Sequence, residues 1–207
     1  MPFCRNRSKV TAKCSRGGDT TDQVEDRDLP AIYLQLIILT MNLSSLNQLD
    51  QTAFTEALAD IFEHSPWIPK ETWAARPFDS IEDLHGKLCK TLDASDTPHK
   101  LDLIRAHPDL AGKLAISGEL TDFSTTEQAS AQLDKLTAEQ FERMSGLNQQ
   151  YKDKFGFPFI ICVKEHTQNS IFENFEERVN NDADAEQEAA LFQIKRIAWH
   201  RLNDLIQ

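Results

Sequence analysis

Apolar residues recur at helical spacing along most of the chain. Phe54, Leu58, Ile61 and Phe62 fall at i, i+4, i+7 and i+8, which is one face of a helix. Phe141, Met144, Leu147, Tyr151 and Phe155 repeat the pattern, and so do Leu191, Ile194, Ala198, Leu202 and Leu205. No alternating run rich in Val, Ile and Thr interrupts them, so the pattern predicts no large sheet. Prolines mark the breaks, because the residue before a proline avoids helical angles. Ser65-Pro66 ends the first helix, and Arg76-Pro77-Phe78 leads into a helix from about Ser80 to Leu92. His107-Pro108 divides two short helices, and Phe155-Gly156-Phe157-Pro158-Phe159 divides two long ones. The expectation is an all-α fold, a single multi-helix domain of roughly eight helices with short connections.

The 207 residues suffice for one domain with a proper core. The first forty follow no such pattern. Residues 1–18 carry five basic side chains and no acidic one, and residues 19–28 carry five acidic ones and one arginine. Such a polar, patternless stretch predicts disorder. The uncharged run Ala31–Thr40 is ten residues long, against about twenty for a membrane helix, and it lies too far along the chain for a signal peptide. The sequence therefore divides into an N-terminal extension over 1–41, disordered or outside the working protein, and a helical domain over 42–207. The end Leu205-Ile206-Gln207 is no peroxisomal signal, so the expected location is cytoplasmic, with no membrane partner. A net charge of -11 without a basic stripe argues against nucleic acid as a partner. Cys4, Cys14, Cys89 and Cys162 have neither disulfide-framework nor zinc spacing, which predicts free thiols and no metal.

Four features carry candidate chemistry. His107, in Arg105-Ala106-His107-Pro108-Asp109-Leu110, reads as the residue before a helix, since proline favours a first helical position. It is either a cap or an acid/base group working near neutral pH. Ser124-Thr125-Thr126-Glu127 has capping-box spacing, which marks a helix start. Arg201 lies in the apolar stripe of the last helix, where a charge is costly unless an internal carboxylate or an anionic ligand pairs with it. Phe155–Val163 is too apolar for a surface loop and too interrupted for a helix. It either plugs the core or offers backbone N–H groups to a planar ligand. No phosphate-binding glycine loop, Gly-x-Ser-x-Gly elbow or dinucleotide fingerprint is present.

In this order, the features resemble the family of 2-oxo-4-hydroxy-4-carboxy-5-ureidoimidazoline (OHCU) decarboxylases. The resemblance rests on Pro66-Trp67, Arg76-Pro77-Phe78, Ala106-His107-Pro108-Asp109-Leu110-Ala111-Gly112, Ser124-x-x-Glu127-Gln128, Phe155-Gly156-Phe157-Pro158-Phe159 and Arg201-Leu202. It covers about residues 43–206. It implies a compact helical fold, a homodimer, no metal and no organic cofactor. It also implies decarboxylation of a small anionic ureide to (S)-allantoin in urate breakdown. By the same resemblance, His107 and Glu127 are catalytic, and Pro108, Ser124, Gln128, Phe159, Ile161 and Arg201 contact the substrate. Two alternatives stay open on sequence: a related enzyme acting on another cyclic ureide, and a helical interaction module without catalysis. Convergence of His107, Glu127 and Arg201 on one pocket would favour an enzyme.

Overall fold

The computed structural model describes residues 41–112 and 122–207, and the expected extension falls almost wholly outside them. The described residues form nine α-helices and three short 3-10 turns, with no strand. The helices are α1 (Leu43–Gln48), α2 (Gln51–Ala57), α3 (Trp67–Thr72), α4 (Ile81–Ala94) and α5 (Thr97–Ala106), then α6 (Asp122–Ser130), α7 (Ala138–Phe155), α8 (Gln168–Arg178) and α9 (Ala183–Leu205). The all-α architecture expected from the periodicity is the one found. None of the described helices is long and apolar enough to cross a membrane.

Local chemistry sets the helix ends. Asn42, Asp50, Ser80, Asp96, Thr137, Thr167 and Asp182 each accept a backbone N–H of the first turn through the side chain. Helix α2 stops at Ala57, earlier than its apolar stripe suggests. Leu58, Ile61 and Phe62 continue through turns yet stay buried, so the stripe reported burial correctly and helix length incorrectly.

Helix α9 is the spine of the domain. Ala190, Leu191, Ile194, Ile197, Ala198 and Leu202 are buried along it, and it packs against α4 and α5. Helix α7 ends at Gly156, whose φ of 74° lies in the left-handed region. The chain then runs non-helically through Phe157–Cys162, almost wholly buried. Open space surrounds the position a Cβ would take on Gly156, so only backbone strain opposes substitution. Gly156→Ala is expected to lower stability by about 1–2 kcal/mol, read from chemical denaturation.

Candidate active site

The His107 loop leaves α5 and doubles back toward α7. His107 is the C-terminal cap of α5, its N–H bonded to the Ile104 carbonyl, and Pro108–Gly112 are not helical. This corrects the expectation of a residue preceding a helix. The proline restricts His107 to the extended angles observed, φ -74° and ψ 142°, which end α5 rather than open another helix. Three side chains pin the loop. Lys152 Nζ lies 2.6 Å from Asp109 Oδ2, Asn148 Nδ2 donates to the Leu110 carbonyl at 2.9 Å, and Ala111 N donates to Gln128 Oε1 at 2.9 Å.

The His107 ring is 8% exposed, and Nδ1 lies 2.9 Å from the Leu103 carbonyl oxygen. A carbonyl only accepts, so Nδ1 carries the proton and Nε2 of the neutral ring keeps its lone pair. Burial pushes the imidazole pKa down to about 4, against the opposing charge of Glu63. A reaction that needs this neutral ring is expected to keep its rate from neutral pH downwards and to lose it only as pH nears 4. The unfolded chain, by contrast, takes up the proton near the ordinary histidine value. Between that value and 4 it binds more protons than the native state, so the histidine's contribution to stability is full above that range and lost as pH falls through it. A pH profile of kcat/KM beside one of Tm checks both, and loss of rate already near the ordinary histidine value would contradict this reading.

Arg201 is 1% exposed and lies among carboxylates. Its Nε donates to Glu127 Oε1 at 2.8 Å and its Nη2 to Glu127 Oε2 at 2.9 Å, a two-pronged pair. Nη1 donates to Glu63 Oε2 at 3.0 Å and to the Asp60 carbonyl at 2.8 Å, and Nη2 also reaches Ser124 Oγ at 3.3 Å. Burial alone would weaken the charge on Arg201, but Glu127 and then Glu63 outweigh it and raise the guanidinium pKa. The internal-carboxylate alternative is therefore realised for this arginine. The capping-box reading of Ser124 and Glu127 is not. Helix α6 already begins at Asp122, and the two side chains turn toward Arg201, with Ser124 Oγ also 3.3 Å from Glu63 Oε2.

These groups share one cavity of about 360 Å³, its open mouth included. It is lined by all eight residues singled out from sequence: His107, Pro108, Ser124, Glu127, Gln128, Phe159, Ile161 and Arg201. Leu110, Ile160, Val163 and Ile197 complete an apolar wall. A second, roomier cavity lies on the other side of Glu127, among Glu56, Asp60, Phe123 and Lys164, with no histidine among the described residues that line it. The sequence reading missed Glu63, whose only signal was a carboxylate directly after the apolar pair Ile61-Phe62. Ligand atoms of Cys162, Glu165 and His200 lie within 4.8 Å of one another, but Arg196 Nε sits 2.9 Å from Glu165 Oε1 and occupies that carboxylate.

The arrangement is that of an enzyme pocket: a buried neutral histidine with an outward lone pair, a carboxylate held by an arginine, and the Gln128 amide beside an apolar wall. Comparison with known proteins gives the same answer. The family model described as OHCU decarboxylase matches residues 47–203. A protein from Halalkalicoccus jeotgali named 2-oxo-4-hydroxy-4-carboxy-5-ureidoimidazoline decarboxylase is 40% identical over 80% of this chain and 92% of its own. One of the same name from Xenopus laevis is 34% identical over 80% of this chain and 94% of its own. The crystal structure of an (S)-allantoin synthase superposes with a TM-score of 0.63 at 27% identity, covering 80% of this chain and 54% of that one. The chain belongs to the OHCU decarboxylase family.

Proposed function

We propose that this protein decarboxylates OHCU to (S)-allantoin in urate degradation, using only its own side chains and backbone. The observation that carries this reading is the convergence of His107 and the Arg201–Glu127 pair on one cavity. Losing carbon dioxide leaves the electron pair of the broken C–C bond on the substrate, where the adjacent C=N of the imidazoline ring takes it up. The carboxylate departs as CO2 and one proton is taken up in its place. The protein then has to supply orientation, fixed charge and the proton.

In this reading His107 Nε2 accepts the proton of the substrate hydroxyl and returns it to the ring carbon beside the one that lost CO2, and the Leu103 carbonyl holds the imidazole in the tautomer this requires. Glu127 presents a fixed carboxylate beside the departing one. Arg201 fixes that carboxylate in place through its two bonds and grips the anionic edge of the substrate. The bond from Nη2 to Ser124, at 3.3 Å, is the longest of its five and the easiest for a substrate oxygen to displace. Gln128 spends its oxygen on Ala111, which leaves its NH2 for a ureide carbonyl. Pro108, Phe159 and Ile161 shape the wall against which a flat ring packs. The reading extends to a cytoplasmic homodimer, on the strength of the family resemblance.

The reading is tested by mixing the protein with OHCU made freshly from urate by urate oxidase and hydroxyisourate hydrolase. Released CO2 is followed by mass spectrometry against the spontaneous rate. Stoichiometric, accelerated release is expected. Release no faster than the spontaneous reaction, by protein shown to be folded, would contradict it.

A further inference from the structure

A second buried charge cluster stands behind the cavity wall, and the chemistry described so far does not use it. Arg178, at the end of α8, and Glu186, near the start of α9, are both buried. Arg178 Nε donates to Glu186 Oε1 at 3.0 Å, Tyr151 donates its hydroxyl to the same oxygen, and Asn181 Nδ2 donates to Oε2 at 2.8 Å. The other arm of the guanidinium, Nη1, donates to the Ile160 carbonyl at 2.7 Å. Its carbon sits 4.5 Å from the centroid of the Phe159 ring, which stacks on Phe175 at 3.9 Å. Replacing such a cluster by apolar groups is often neutral for stability, so stability alone does not account for it.

The Ile160–Ile161 peptide is trans, so its C=O and N–H point in opposite directions. Arg178 takes the carbonyl and does not line the cavity, whereas Ile161 does. The Ile161 N–H is thereby turned away from Arg178, and it has no acceptor among the described residues. A nearly buried N–H without a partner is costly and calls for one. We infer that Arg178 is a positioning residue: through the Ile160 carbonyl it aims the Ile161 N–H into the cavity as a donor to an oxygen of the bound ureide. Glu186 and Tyr151 hold Arg178 in the one orientation that does this. The inference rests on the reading of the cavity as a ureide site.

The test compares the wild-type protein with two variants. Tyr151→Phe/Arg178→Met/Glu186→Leu removes the cluster by apolar groups of similar size, and Arg178→Lys keeps the charge but loses the fork that spans Glu186 and Ile160. Backbone and side-chain amide NMR is recorded during titration with (S)-allantoin, and KM and kcat are measured for OHCU. In the wild-type protein the Ile161 amide and the Gln128 side-chain amide both shift. In the variants the Gln128 shift persists and the Ile161 shift is lost. KM rises about tenfold or more, as for loss of a hydrogen bond to a polar or charged group. An Ile161 shift retained in a folded variant, with KM unchanged, overturns the inference while leaving the ureide site standing. No shift at either amide in the wild-type protein overturns both. If the triple variant does not fold, Arg178→Lys decides by the same readings.

Discussion

His107→Asn is expected to lower kcat by about 10²–10⁴-fold, the usual worth of a positioned acid/base group. Asparagine can still donate an N–H toward the Leu103 carbonyl, as Nδ1 does at 2.9 Å. It offers no second nitrogen lone pair toward the cavity. The loss should therefore fall on kcat, with KM changed little, because the group acts on the proton in flight rather than on the bound ring. Fold and Tm should be close to those of the wild-type protein, since His107 leaves the five donors of Arg201 and the pins on Asp109, Leu110 and Ala111 untouched. A folded variant with near-normal kcat would remove His107 from the chemistry.

The second large effect concerns Arg201. Arg201→Met keeps side-chain bulk and deletes the charge, which leaves Glu127 buried without its guanidinium. Breaking one side of a buried pair typically costs about 3–5 kcal/mol. Activity should be lost as well, because Glu127 loses the two guanidinium bonds that hold its place on the wall. The partner change Glu127→Gln is informative in combination. Arg201→Met/Glu127→Gln removes both charges and should recover part of the lost stability while remaining inactive, a coupling that a double-mutant cycle by chemical denaturation measures. If the double variant is as unstable as the sum of the two single ones, the pair does not act as the unit described above.

Much of this was legible in the sequence, and the reasons are particular. The stripes on α7 and α9 announced themselves because burial on one helical face leaves a fixed period. Arg201 stood out because a charge inside such a stripe demands a partner, although sequence could not say that the partners are Glu127 and Glu63, 74 and 138 residues away. The spacing Ser124-x-x-Glu127 predicted a helix start, whereas both residues lie inside α6. The same i, i+3 interval that suits a capping box also sets two side chains on one face of a helix, and here that face meets Arg201. His107 was placed on the wrong side of a helix end because a proline following a histidine is compatible with both a stop and a start. The Arg178–Glu186 cluster left no trace at all: an arginine near a helix end and a glutamate in the first turn of the next helix read as ordinary surface charges until the fold buries them.

The most direct measurement of the central claim is circular dichroism of the product. Freshly generated OHCU is mixed with the protein in the presence of a chelator, and the optical activity of allantoin is followed against the enzyme-free reaction. The account predicts rapid appearance of the (S) enantiomer alone, since a single buried pocket directs the proton to one face of the ring, and loss of that signal in His107→Asn. Racemic product at the spontaneous rate, from protein confirmed to be folded, would contradict it.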